Sequence, residues 1–203
     1  MMSKSMLVLA FFLCAVGPVR GQVERTIYQD DALGVAFAEL GAVERVDSTT
    51  YRITLQSSGA SSVRSAQAQV SASDRLFVDL PGSYGGRLYL DEPTASRFMD
   101  NRVLVDSVTT DYLSFRREYW AVYAGMGMWD CVINCSAQRD GHFYIVSLIQ
   151  DRPIGKPGDE MEGKPLSGEA LKAKVLTSLR DTTDVIVNKF DALLASVQIH
   201  NDR

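Results

Sequence analysis

The chain has 203 residues, and its 25 acidic side chains outnumber its 21 basic ones to give a net charge of −4. With no basic stripe, that balance speaks against a nucleic-acid partner. Hydrophobic residues make up 46% of the chain, enough for one real core.

Residues 1 to 21 read as an export signal. Lys4 supplies the positive start, the run from Met6 to Val16 is the apolar core, and Val19-Arg20-Gly21 suits a cleavage site, so the mature chain is expected to begin at Gln22. The apolar run is shorter than the roughly 20 residues a membrane span needs, which makes a retained anchor the weaker reading. Cys14 follows Phe12 and Leu13. A lipoprotein signal wants a small residue directly before the cysteine, so lipidation is not expected there. No later stretch is long and apolar enough to cross a membrane. The rest, 22–203, reads as a single α+β domain, more acidic still once Lys4 and Arg20 are lost.

From Gln22 onward short strands alternate with turns. Candidates are Leu33 to Phe37, Tyr51 to Leu55, Arg75 to Leu80, Gly86 to Leu90, Val103 to Val108 and Leu113 to Tyr123. Residues 57–62 read as a loop. Val63 to Ser71 is polar and fits either a strand or a loose helix. Pro81-Gly82 stops one strand, and Pro93 suits an early position in one or two helical turns before Asp100. All these strands are expected to join one sheet.

The chain is organised around a hairpin and the helix that follows it. Asp140-Gly141 supplies the two positive-φ positions of a type I′ turn. The turn fixes a register in which Arg139 meets His142, Ala137 meets Tyr144, Cys135 meets Val146, Ile133 meets Leu148 and Cys131 meets Gln150. Trp129, Cys131, Ile133, Cys135 and Ala137 then share one face. Phe143, Ile145 and Ile149 point to the other face, which must be covered in part.

A helix is expected from Ser167 to about Ala195, N-capped by Ser167 with Glu169 in its first turn. Its stripe runs through Leu171, Val175, Leu179, Ile186, Phe190, Leu193, Leu194 and Val197, with Thr182 and Thr183 filling the missing step. The stripe must be buried, and the sheet is the available partner. Ser196 to His200 frays or forms a short strand. Between hairpin and helix, residues 151–166 carry three of the six prolines and three glycines. They read as a solvated tether or a functional loop.

Chemistry is sparse. Cys131 and Cys135 on one straight strand stand roughly 13 Å apart, while a disulfide needs Cα atoms within about 7 Å. The alternation favours two packed thiols over a bridged turn. His142 and His200 are the only histidines, and they make a zinc site with Cys131 and Cys135 a weak reading. Asp159, Glu160 and Glu162 lack the EF-hand spacing for calcium and read as a solubilising cluster. Gly82 to Arg87 has neither phosphate-loop nor dinucleotide spacing. No nucleophile motif is present, and His142 beside its turn reads as a surface residue. No cofactor, metal site or catalytic residue is therefore assigned.

The densest polar and aromatic stretch is Arg116 to Tyr123. On a strand Arg116, Glu118 and Trp120 share one face, opposite Arg117, Tyr119 and Tyr123. Arg116, Arg117 and Trp120 are the candidate contacts for a partner or an anion. Cross-strand ion pairs and core aromatics account for the same residues equally well.

Tyr28-Gln-Asp-Asp-Ala-Leu-Gly-Val-Ala-Phe37, the Asp140-Gly141 hairpin, and the tail Phe190-Asp-Ala-Leu-Leu-Ala-Ser-Val197 follow one another in a layout that resembles the PsbP-like α/β/α sandwich. Residues 40–110 match it only in kind. Glu39-Leu40-Gly41 stands where the family usually has a proline and a tryptophan. The resemblance implies an exported, non-catalytic binding or accessory module of a larger assembly, with an unidentified protein partner. It carries over no site residues. The alternative is a helix-grip carrier of a small hydrophobic ligand, whose two early helices are not found between Leu33 and Tyr51. N-terminal sequencing of the exported protein should begin at Gln22. An intact Met1 or Met2 in a cytoplasmic fraction would overturn the signal reading.

Overall fold

The computed structural model describes residues 26–58, 63–81, 86–126, 128–153, 160–161, 164–165 and 168–200. The expected signal at 1–21, the Ser167 cap and most of the Pro/Gly-rich loop lie outside the described residues.

The main sheet has seven antiparallel strands. In chain order they are β3 (Ala42–Arg45), β4 (Thr50–Ser58), β5 (Val63–Ser73), β8 (Arg102–Thr109), β9 (Ser114–Gly125), β10 (Met128–Arg139) and β11 (His142–Pro153). Across the sheet the order is β3-β4-β5-β11-β10-β9-β8. The β10–β11 hairpin sits inside the sheet with the expected register, from Arg139 opposite His142 to Cys131 opposite Gln150. Asp140 and Gly141 take φ of 52° and 83°, as a type I′ turn requires.

Two features depart from the sequence reading. The strands do not all join one sheet. β1 (Ile27–Asp30), β2 (Val35–Ala38) and β14 (Gln198–Ile199) form a separate three-stranded sheet, and β6 (Phe77–Leu80) and β7 (Gly86–Tyr89) a separate hairpin. β12 (Glu160–Met161) and β13 (Lys164–Pro165) pair only with each other. The ambiguous segment 63–71 is a central strand, β5, because Ala66, Ala68 and Val70 alternate into the core.

The second departure is the C-terminal helix, which is two helices, α1 (Gly168–Leu179) and α2 (Val185–Ser196). The break has a local cause. The Asp181 carboxylate accepts from the Thr183 N–H at 2.9 Å and the Thr183 hydroxyl at 2.6 Å, bonds that compete with helical ones. Asp184 then N-caps α2, accepting from Ile186 N–H at 2.8 Å and Val187 N–H at 3.4 Å. The helical stripe resumes in phase, so both helices still bury Val175, Leu179, Ile186, Phe190, Leu193 and Leu194 on the sheet.

One face of the main sheet, here the near face, packs against α1, α2 and the small sheet. Tyr51, Ile53, Cys131, Ile133, Cys135 and Leu148 meet the helices and Val35 and Phe37 in one continuous core. Both thiols are free and buried, as the alternation implies. Burial pushes the Cys131 thiol up to about 12 and that of Cys135 higher still, so neither is a nucleophile at neutral pH. β14 closes the small sheet beside Gly34 (φ +66°), where a Cβ would come within 3.0 Å of the His200 carbonyl.

The far face is covered in part, by the β6–β7 hairpin and a 3-10 helix over Pro93–Asn101, which enclose Val78, Leu80, Ala95, Trp120, Val122 and Val132. The Asn134 amide donates to the Phe77 carbonyl at 3.0 Å and ties that hairpin down. Toward β4 and β5 the far face is polar, with Gln56, Ser65 and Gln67 exposed. Among the described residues no helix is long and apolar enough to cross a membrane.

Asp184 also accepts from Arg152 at 2.7 Å and from Arg64 at 3.0 Å, so one carboxylate joins β5, β11 and the start of α2. Losing a helix cap costs about 0.5–2 kcal/mol, and stranding a buried charge about 3–5. Asp184→Ala should therefore destabilise the protein by about 3–5 kcal/mol in urea unfolding. Asp181→Ala, which removes only an exposed turn bond, should cost about 1 kcal/mol or less.

Candidate functional site

The three residues singled out on β9 separate in the structure. Trp120 is fully buried beneath the β6–β7 hairpin and presents no surface to a partner. Arg116 points to the far face and Arg117 to the near face, because strand side chains alternate. The two arginines therefore belong to two clefts on opposite sides of the sheet.

On the far face the organising group is Glu118, 1% exposed. One of its oxygens accepts from Arg116 Nη2 at 2.7 Å, Arg116 Nε at 2.9 Å and Arg102 Nη1 at 3.3 Å. The other accepts from Trp120 Nε1 at 3.3 Å. The Arg102 guanidinium also lies 5.9 Å from the Trp120 ring centroid. Two cations thus share one carboxylate and keep an excess positive charge. Both line a cleft of about 470 Å³ whose other walls include Arg75, Leu90, Met99 and Phe143. Arg75 is held by Asp91 at 2.6 Å and Glu92 at 2.9 Å, and stacks 4.0 Å from the Tyr89 ring centroid. Asp74 and Asp91 also line the cleft, Asp91 paired with Arg75, and the guanidinium donors of Arg102 and Arg116 beside its apolar side chains suit an anion carried on an apolar body.

On the near face Arg117 is a bidentate partner of Asp106, at 2.9 and 3.2 Å. Arg180, just past α1, bonds the same carboxylate and donates from Nε to the Tyr119 hydroxyl at 3.3 Å. Burial pushes the Asp106 carboxyl up, and its bonds and attraction to Arg117 and Arg180 more than offset that, so it lies below the ordinary range. A cleft of about 380 Å³ opens here at the helix break, lined by Arg117, Tyr119, Ile133, Val187 and Asp191. Asp191 is exposed to solvent, yet the protein around it raises its pKa against the opposing pull of Arg117. Both of the cleft's arginines are occupied by Asp106.

His142 lines a third cleft, of about 400 Å³, with Asp74, Arg87, Tyr89 and Tyr144. Arg87 is committed to Asp79 at 3.1 Å and to the Phe77 ring at 3.7 Å. Among the described residues no three His, Cys, Asp or Glu side chains gather as ligands for a metal ion. Sequence reading missed Arg102, Asp106 and Arg180. Their only signal is charge on or beside predicted elements, and nothing in that signal says which strands are neighbours.

No family model, no curated protein and no solved structure matches this chain.

Three buried or half-buried carboxylates set the acid limit of the fold. Asp30, Asp106 and Asp184 are each pushed up by burial and brought below the ordinary range by their hydrogen bonds and cationic neighbours. A lowered native pKa means that the unfolded chain takes up protons first. The stabilisation is therefore complete above the unfolded carboxyl value of about 3.9 and is lost as pH falls below it. Asp130, raised by burial and by Asp151, works in the opposite sense. The urea midpoint should hold from neutral pH down to about pH 5 and fall below about pH 4, and Asp106→Asn should flatten that fall.

Proposed function

We propose that the protein is an exported, non-catalytic binding or accessory module of a larger assembly, and that it holds an acidic group of its protein partner in the far-face arginine cleft. The observation that carries this reading is the Arg102–Glu118–Arg116 arrangement. A carboxylate 1% exposed fixes two guanidinium groups, 30% and 53% exposed, at the rim of an open cleft whose walls are partly apolar. Surface ion pairs are usually worth little to stability. Two arginines pre-organised by a single buried carboxylate lose less freedom when a second anion arrives.

The finer fold assignment, a PsbP-like sandwich, belongs to the same proposal. C-terminal helices across one face of an antiparallel sheet support it, while the β6–β7 hairpin on the other face departs from an α/β/α layering. The helix-grip carrier is less well supported. It needs an internal cavity of roughly 300–1,000 Å³ between helix and sheet, whereas the cleft of about 380 Å³ at the helix break is bordered by Arg117, Arg180 and the exposed Asp191, and deeper in the layer Phe190, Leu193, Cys135 and Leu148 are fully buried against one another.

Crosslinking in the native host, followed by capture of the tagged protein, tests the proposal. Arg102→Glu and Arg116→Glu should each lose the crosslinked partner while the far-ultraviolet circular dichroism stays unchanged. Arg139→Glu, at the exposed hairpin tip, should keep it. Equal partner recovery from all three variants would overturn the assignment of the cleft. A co-purifying lipid at near-stoichiometric amount would favour the carrier instead.

A further inference from the structure

The main sheet ends on two unlike edges. β3 has four residues and carries Glu44 and Arg45, the brevity and charge by which an edge is kept from pairing. β8, at the other end, has eight residues, is rich in β-branched side chains and contains neither lysine nor proline. Its two charged side chains are already engaged inside the molecule, Arg102 with Glu118 and Asp106 with Arg117 and Arg180. A bulge at Val103 interrupts only its start.

Which backbone groups of β8 face outward follows from the turn to β9. The Thr110 N–H donates to the Leu113 carbonyl at 2.8 Å, and bonded pairs alternate along an antiparallel ladder. Val108, Asp106 and Leu104 therefore bond β9. Val105, Ser107 and Thr109 present their N–H and C=O groups to the open edge. Among the described residues no backbone hydrogen bond reaches β8 from that side. The side chains of Val105, Ser107 and Thr109 are exposed as well.

We infer that β8 pairs with β8 of a second copy of this chain, antiparallel about a two-fold axis at Ser107, so that two sheets become one. In this register Ser107 meets Ser107 and Val105 meets Thr109, and every outward backbone group from Val105 to Thr109 gains a partner. On the opposite face Asp106 meets Val108. An axis one residue earlier would set the two Asp106 carboxylates directly against each other, which is destabilising. The extra residue of the bulge brings Arg102 level with Asp111 of the second copy. Asp111 is exposed and the Arg102 side chain is 30% exposed, so an opposite-charge pair forms at each end of the new ladder. That charge match is what selects a second copy over an unrelated strand. A ladder of this length buries less than the roughly 1,600 Å² of a standard interface, so the dimer dissociates on dilution. The two-fold axis uses both β8 edges and leaves only the blunted β3 edges outside, so assembly stops at two copies. The inference stands on the strand edge and does not depend on the function proposed above.

Sedimentation equilibrium of the purified protein, with hydrogen exchange read residue by residue, tests it. The expected result is a monomer–dimer equilibrium in which the amides of Val105, Ser107 and Thr109 exchange about tenfold more slowly in the dimer, while the outward amides of β3 do not change. Val105→Lys puts a charge on the edge and should weaken association about tenfold or more. Val46→Lys, at a similarly exposed valine beside β3, should leave it unchanged. Asp111→Lys should weaken it, and Arg116→Glu, which tests the arginine cleft, should not, so the two proposals can fail separately. Each variant is checked for native circular dichroism. A monomer at every concentration up to about 1 mM would overturn the dimer. So would a dimer that Val105→Lys leaves intact, or one whose new protection falls outside β8. Protection of Val105, Ser107 and Thr109 only when a different protein is bound would make β8 that protein's docking strand and would equally overturn self-pairing.

Discussion

The Asp184 carboxylate is the joint on which the architecture turns. It starts α2, receives Arg152 from β11 and Arg64 from β5, and is almost fully buried while doing so. Two strand ends that have ceased to pair with each other are thereby held to the same helix terminus. A carboxylate at the positive end of a helix is already favoured. Two guanidinium partners and two backbone donors then satisfy it well enough for the charge to stay inside. Without it, α2 would have no fixed starting point over the sheet, and the apolar stripe of Phe190, Leu193 and Leu194 would have no fixed phase.

The sheet it anchors has two unlike faces. The near face carries the main apolar core beside the ion-paired Arg117 and Arg152, and takes the helices. The far face carries a line of buried polar side chains, Gln69, Ser147, Asn134 and Glu118, in register across β5, β11, β10 and β9. Such a line cannot be covered by an ordinary hydrophobic layer. It is covered by a hairpin whose backbone can receive a side-chain bond, as Phe77 does from Asn134, and by arginines that can meet a carboxylate. The clefts of the far face follow from that covering, because a small hairpin and a 3-10 helix do not span seven strands.

How much of this could be read from the sequence depended on whether the signal was local. The β10–β11 register followed from two turn residues and the alternation around them, because a hairpin brings neighbours in sequence together. The free thiols followed from the same alternation. The long helix did not hold. Thr182 and Thr183, read as filling a missing step of the stripe, lie instead in the turn between Asp181 and the Asp184 cap. β5 was ambiguous because Ala and Gln have weak strand preference, and burial between β4 and β11 decided it. The candidate site was half legible. Alternation placed Arg116 beside Glu118 and opposite Arg117, whereas Arg102, Asp106 and Arg180 arrive through long-range pairing and helix docking that no short window contains.

The order of strands has a consequence for how the molecule comes into being. The sheet is built from an early block, β3-β4-β5, and a late block, β8 to β11, and only the β5–β11 ladder welds them, bringing Val70 opposite Val146. The early block cannot bury its apolar face until the last strand of the late block exists and the C-terminal helices close over both. Chains whose decisive contacts join distant residues fold slowly, because loop closure must come before the contacts reward it. A polypeptide of this kind can complete its sheet only once its C-terminal third has been made.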